Sequence, residues 1–543
     1  MSAIGLGLAL AVSVIGVPAS GARQVPNVEQ KKNLTIMIAE KDSGWCNQDS
    51  PGIDQISLKN AVLEPLLKPN ADGNMVGYLA KSFTTTDNKT WTITLRPDIF
   101  FSNGEELTTD VVSLNLQTNL GLNPMVKANL PALAWQGHTV VQSAAQYASK
   151  FKIIDKLTMT MTLDAPEPGF AYNMWSEGRF TIGAKAMLTS KDCGTTVAIG
   201  TGPYTVLSKG IDPFKTLLKA NPKYWRKAKD GSKLPKTDNI VAVSVLDGAQ
   251  RANALRTGQA DIATFGATAG VQINNLKKQK NKITIIEGAR DKAWTIHFNT
   301  ILAPFNNLLA RQAFSYAFDR ATYVKVQLGG NATPADALAN PTSIMYTKEG
   351  VLDFDLAKAK EKVAAYKAAT GKDLEFAMPI SDTTESTQSA TLVCNMMITA
   401  GIKCTLMAPV TSSAYISRAF QPTGQQITFF SVMNGKFAGF PLLFLGGNLE
   451  LSRFSASPYT KAIGAPLAAA FAAARATDSA ADYQKAMATL QTNDYWTPGW
   501  YEGGFVISTS KVTGIGKTPL PGGGLGPILN TAGFDIASVV VAK

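Results

Sequence analysis

The chain has 543 residues, 45% of them hydrophobic and 17% charged, which is a globular composition with room for two to four domains at about 100–200 residues each. Its net charge is +12, yet the basic residues form no arginine-rich run and no nucleic-acid module. The lysine-rich patch at 215–236 reads as a solvated basic surface. Two histidines, His138 and His297, exclude a histidine-rich metal site, and the four cysteines have neither CxxC nor zinc spacing.

Residues 3–17 form an apolar run of 15 residues, short for a bilayer span of ~20, followed by Pro18 and small residues. They read as a secretory signal covering residues 1–22, cleaved after Ser20-Gly21-Ala22. The run lacks a basic n-region, which leaves open a start upstream of Met1. No cysteine sits at the cleavage point, so the expectation is a free exported protein, periplasmic or extracellular. Residues 33–40 predict a strand, 41–52 a loop holding Trp45 and Cys46, and 53–67 a helix. Residues 90–95 alternate strictly, with Trp91, Ile93 and Leu95 on one face, which is the pattern of a half-buried strand. Arg96-Pro97-Asp98 ends it, because proline offers no ladder donor. Residues 99–101 predict a second short strand. Thr108 or Thr109 then caps a helix with Asp110 in its first turn.

Residues 123–146 are irregular and include Trp135. Residues 151–163 alternate again around a turn at Asp155-Lys156. Gly202-Pro203 is a turn before a strand, not a phosphate loop, because no helix N-terminus follows it. Residues 240–246 predict a strand and 249–257 a helix stopped by Gly258. Further strands are expected at 293–299, 374–379, 402–407, 427–432 and 505–509, and helices at 355–370, 386–400, 465–476 and 479–493. An even cysteine count in an exported chain points to disulfides. Cys394 on a helix and Cys404 on the following strand come side by side in an antiparallel helix–strand pair, which leaves Cys46 with Cys193. Free buried thiols are the alternative.

Three blocks carry a family resemblance. The first is AKSFTTTDNKTWTITLRPDIFFSNGEELTTDVV at 80–112. The second is Gly200-Thr201-Gly202-Pro203-Tyr204, followed by NPKYW at 221–225. The third runs from Phe298-Asn299 through Pro304-Phe305-Asn306 to Ala310-Arg311-Gln312-Ala313 and Tyr316-Ala317-Phe318-Asp319-Arg320. Together they resemble the bacterial extracellular solute-binding proteins of the peptide/nickel type, family 5, which are receptors of ABC importers. The resemblance implies an α/β bilobal periplasmic-binding-protein fold (type II, cluster C-like) with an inserted lobe and two hinge-crossing strands. The implied parts are lobe I at 23–60, 190–289 and 501–543, an inserted lobe II at 61–189, and lobe III at 290–500. It further implies hinge closure on a ligand, an ABC permease and ATPase complex as partners, a monomer, and no cofactor, metal or nucleic acid.

Where peptide-binding members place an aspartate for the peptide's ammonium, this chain has Phe437, and Phe440 replaces the acid before Pro441. The charge-assisted anchor for a free amine is therefore missing. An aromatic there stacks on an apolar or sugar ring, and Lys436 or Arg290 can meet an anion. The resemblance nominates Trp45, Trp135, Arg290, Trp294, Asn434, Phe437, Trp500 and Tyr501 for the cleft, with core packing the competing role of each Trp. Trp91 and Trp225 are assigned to the core. No HExxH, GxSxG or SxxK arrangement has a supporting context. Gly516-Lys517-Thr518 mimics the end of a P-loop, but the pattern's first glycine falls at Lys511 and Pro519 follows. The expected function is a receptor that binds a peptide or peptide-like solute, or else a glycoside, opine or metal chelate. A secreted bilobal enzyme and a sensor or chaperone-like receptor are the competing classes.

Overall fold

The structure is a computed structural model that describes residues 33–39, 44–46, 55–126, 143–175, 178–194, 198–207, 214–419, 423–434, 464–477, 479–529 and 533–542. Its largest sheet has seven strands, in the order Ile283–Glu287, Phe505–Thr509, Ile262–Phe265, Asn33–Ile38, Asn239–Ser244, Lys215–Ala220 and Tyr204–Val206. Asn33–Ile38 runs parallel to both of its neighbours, and the remaining pairs are antiparallel. Parallel strands need covered faces, and Ile262–Phe265 is buried along its whole length. The helix Gly248–Thr257 covers part of this sheet and stops at Gly258, whose φ of 73° is the left-handed cap that only glycine adopts without strain.

A second sheet has four antiparallel strands, ordered Thr333–Pro334, Trp496–Glu502, Lys292–Phe298 and Ile427–Asn434. A third belongs to the inserted part of the chain, in the order Ala80–Thr85, Thr90–Leu95, Thr158–Thr162 and Phe151–Ile153. The expected alternation holds in Thr90–Leu95, where Trp91, Ile93 and Leu95 are buried. Each such side chain contributes roughly 1.5–3 kcal/mol by burial. Trp91 also stacks on Phe83 at 4.7 Å. The expected strand at 99–101 is only a single bridge, Phe100 to Glu106. The expected helix at 53–67 ends at Val62, and Leu67 begins a strand instead. Pro65 stands between, with no backbone donor to extend the helix. Both expected cysteine pairs are bonded, Cys46 to Cys193 and Cys394 to Cys404.

The inserted part is locked to the seven-stranded body at Glu64, which is fully buried. Its Oε1 accepts from Tyr78 Oη at 2.8 Å and Tyr224 Oη at 2.7 Å. Its Oε2 accepts from Trp225 Nε1 at 2.8 Å and Thr201 Oγ1 at 2.9 Å. Thr201 belongs to the GTGPY motif, and Tyr224 and Trp225 to the NPKYW motif that follows it, so both motifs converge on a carboxylate far earlier in the chain. The GTGPY glycines are sterically required. A Cβ on Gly200 would lie 1.9 Å from the Val62 carbonyl oxygen, and one on Gly202 2.4 Å from that of Ala61. Beside this carboxylate, the buried Arg226 pairs with Asp535 at 2.8 Å. Burial alone raises the Asp535 carboxyl, but the Arg226 and Lys68 charges overcome it and hold it at about 2.

Candidate functional site

Two chain crossings link the seven-stranded body to the four-stranded one. One runs from Ile283–Glu287 through 288–291 into Lys292–Phe298, and the other from Trp496–Glu502 through Gly503-Gly504 into Phe505–Thr509. They lie side by side. Gly288 N donates to Gly504 O at 2.8 Å, and a Cβ on Gly503 would sit 2.2 Å from the Gly288 oxygen. Close backbone approach therefore dictates glycine at 503.

Beyond the crossings the two strands pair Lys292 with Glu502, Ala293 with Tyr501 and Trp294 with Trp500. The register then shifts, so that Thr295 faces Pro498. Gly499 is the extra residue of a β-bulge, packed so closely that a Cβ would be 2.8 Å from the Trp294 oxygen. Trp500 stacks on Trp294 at 5.4 Å and on Tyr323 at 4.8 Å. Its Nε1 donates to Glu502 Oε2 at 2.9 Å. Glu502 Oε1 accepts from Lys292 Nζ at 3.3 Å, both side chains being about 5% exposed. That ammonium also lies 4.9 Å from the centre of the Trp294 ring. The buried indole N–H of Trp294 has no hydrogen-bond partner among the described residues. Arg290, 36% exposed, donates from Nε to Glu287 at 2.5 Å and from Nη1 to Thr333 at 3.2 Å.

The nominated residues thus separate by face. Arg290, Trp294 and Trp500 gather at the crossing, Trp294 half-buried and Trp500 buried. Tyr501 points the other way, as strand alternation requires of a neighbour of Trp500. Its hydroxyl accepts from Ala337 N at 3.0 Å and lies 2.9 Å from both the Ala337 and Ala339 oxygens. Burial raises its phenol well above the ordinary range. Trp45 is buried against Leu34, Ile36 and Leu58, and with Lys59, Gln55, Thr216 and Ser244 it lines a small cavity. That cavity lies at the C-terminal ends of the parallel strands, the end where open α/β sheets bind ligands. Asn434 pairs with Lys292 in the sheet register. Trp135 and Phe437, with Lys436 and Phe440, lie outside the described residues, as does the expected signal.

Trp91 is in the core as expected, whereas Trp225 is half-buried and uses its indole N–H on Glu64. His297 is buried, stacks on Trp496 at 3.9 Å, and is held neutral by burial, which pushes it down to about 3. Lys292, Glu502 and Tyr323 were not nominated from the sequence. The signal for the first two was present, since Lys292 and Glu502 each lie two residues from a nominated Trp on an alternating strand. Among the described residues no helix is long and apolar enough to cross a membrane, and no group of three or more His, Cys, Asp or Glu is placed to hold a metal.

A model of the bacterial extracellular solute-binding proteins, family 5 (middle), matches residues 74–440, more than half the chain. The nickel-binding periplasmic protein of Escherichia coli K12 is 27% identical over 330 residues, 59% of each chain. The glutathione-binding protein GsiB of Salmonella paratyphi A is 28% identical over 364 residues, 66% of this chain and 65% of its own. The chain therefore spans about 60% of the length of these relatives. The periplasmic binding protein AgaA of Agrobacterium tumefaciens R10, solved in complex with agropinic acid, superposes with a TM-score of 0.76 at 21% identity. That match covers 94% of this chain and 99% of AgaA, so the fold is the bilobal periplasmic-binding-protein fold with an inserted lobe.

Proposed function

The chain belongs to the bacterial extracellular solute-binding proteins of family 5, and from that membership we propose that it is the substrate-binding subunit of an ABC importer. It captures a small solute, a peptide or peptide-like ligand, between closing lobes and hands it to a membrane permease driven by an ATPase. It acts outside the cytoplasm as a monomer and catalyses no reaction. One observation carries this reading. Two bodies, one built on the seven-stranded sheet and one on the four-stranded sheet, meet at two adjacent crossings beside an aromatic and charged cluster. Adjacent crossings form a hinge, and hinge closure buries a ligand. The proposed division is lobe I at 23–60, 190–289 and 501–543, lobe II at 61–189 and lobe III at 290–500, except that Tyr501 and Glu502 go with lobe III because they end the strand Trp496–Glu502 of its sheet, and Arg290, Trp294 and Trp500 reach the ligand.

A second reading rests on Phe437, which stands where peptide-binding members carry the ammonium-binding aspartate. It favours a non-peptide solute such as a glycoside, an opine or a metal chelate. Native mass spectrometry of the protein as purified, before and after unfolding and refolding, separates the two readings. A peptide ladder lost on refolding supports the first and a single non-peptide mass the second. Turnover of the bound compound would overturn the receptor reading.

A further inference from the structure

The sequence from Lys215 to Lys236 holds seven lysines and one acid, Asp230, and the proposed receptor function does not use them. In the structure this stretch begins as the second strand from one edge of the seven-stranded sheet and then forms a small hairpin. Lys227 and Lys233 pair directly across it, and Ala228 and Gly231 close the turn. Lys219, Lys223, Lys227, Lys229, Lys233 and Lys236 are all exposed. Asp230 is occupied by the backbone N–H of Ser232 at 3.0 Å and by the Ser232 hydroxyl, which Lys236 also contacts. Among the described residues the ammonium groups of Lys219, Lys223, Lys227, Lys229 and Lys233 make no ion pair. Like charges directly opposite on paired strands destabilise the hairpin, so the isolated protein carries a local repulsion that an external anionic surface would relieve.

We propose that this hairpin is an electrostatic docking surface for an anionic phospholipid bilayer. The composition distinguishes a bilayer from an acidic protein face. Specific protein interfaces are enriched in aromatic residues and arginine and depleted in lysine. Here the exposed cations are all lysines, while Arg226 and Leu234 are buried. Diffuse lysine charge without an apolar anchor matches adsorption onto anionic headgroups, to which each lysine near the surface adds about five-fold in partitioning.

The test is sedimentation of the full chain with vesicles of phosphatidylglycerol and phosphatidylcholine, against phosphatidylcholine alone, at low and high salt. Lys227→Gln, Lys229→Gln and Lys233→Gln together should weaken binding to the anionic vesicles about a hundred-fold, at about five-fold for each lysine. The triple change should not lower the urea midpoint, because it removes repulsion. Lys358→Gln, Lys360→Gln and Lys362→Gln lower the net charge equally, from +12 to +9, and should leave vesicle binding within a few-fold of the parent. No binding by the parent at low salt, retained binding by the hairpin variant, or equal loss in both variants would overturn the proposal. Tighter binding to soluble polyglutamate than to the vesicles at matched charge would also overturn it, assigning the surface to an acidic protein.

Discussion

Glu64 gives the sharpest test of how this molecule is held together. Glu64→Ala would take the acceptor from four donors at once, those of Tyr78, Tyr224, Trp225 and Thr201, leaving the two tyrosine hydroxyls only each other at 3.3 Å, around a carboxylate with no exposure to solvent. Each buried unsatisfied donor costs about 1–3 kcal/mol. Water entering the vacated space recovers part of the sum, so the net loss should be about 4 kcal/mol, in the range for breaking one side of a buried charged network. Glu64→Gln separates the hydrogen bonds by oxygen. An amide oxygen at the Oε1 position keeps both tyrosines. The amide nitrogen at Oε2 can donate to Thr201 but opposes the Trp225 N–H, so one donor is orphaned at about 1–2 kcal/mol. Urea unfolding followed by tryptophan fluorescence reads both changes as midpoint shifts at constant slope. The expected order is parent, then Gln, then Ala. If Glu64→Ala lies within about 1 kcal/mol of the parent, the convergence of the two motifs on this carboxylate is not what joins the lobes.

Other outcomes follow from the same structure. Trp294→Ala should weaken solute binding by about 2 kcal/mol in calorimetry while the fold survives. Trp500→Ala should weaken that binding too and, by emptying a buried site, cost about 3–5 kcal/mol of stability as well. Glu502→Gln alone breaks a buried ion pair and should destabilise by about 3–5 kcal/mol, whereas Lys292→Met with Glu502→Gln should recover much of that loss in a thermal melt. Burial raises the Asp494 carboxyl from its ordinary 3.8 to about 6, so the folded state holds this proton more tightly than the unfolded chain. Its contribution is therefore fully present below about pH 4 and is lost as pH rises through about 6. Asp494→Asn should flatten that part of the stability–pH curve, and an unchanged curve would refute the assignment.

Much of the fold is legible because period and punctuation are local. Thr90–Leu95 alternates cleanly, and Gly258 stops its helix where a left-handed residue is needed. What escaped the sequence was short or set by distant contacts. The helices Ala144–Lys150 and Arg320–Val326 span about two turns each, too few for a periodic signal. The helix predicted to reach residue 67 stops where Pro65 and the approach of the 200–202 turn force the chain aside. At the site, simple alternation puts Trp496 and Trp500 on one face. The bulge at Gly499 changes the phase, so Trp496 shares a core with Tyr501 while Trp500 turns to Trp294. No local pattern announces that shift. It follows from the contact between Gly499 and the Trp294 carbonyl, 205 positions earlier in the chain.

The Glu64 junction bears on how the proposed receptor would move. A hinge needs a weak connection in one place and strong ones elsewhere. The inserted lobe meets the seven-stranded body through a buried carboxylate with four donors and through the Arg226–Asp535 pair, so a motion there would expose unpaired charge. The crossings at 503–504 and 288–291 offer two glycines and one, joined among the described residues by one backbone hydrogen bond. Rotation about these crossings leaves the Lys292–Glu502 pair intact, because both residues lie on the same side of the hinge, in one sheet. The body that swings would therefore carry the aromatic and charged cluster as a rigid unit, and the first two lobes would move together as the other jaw.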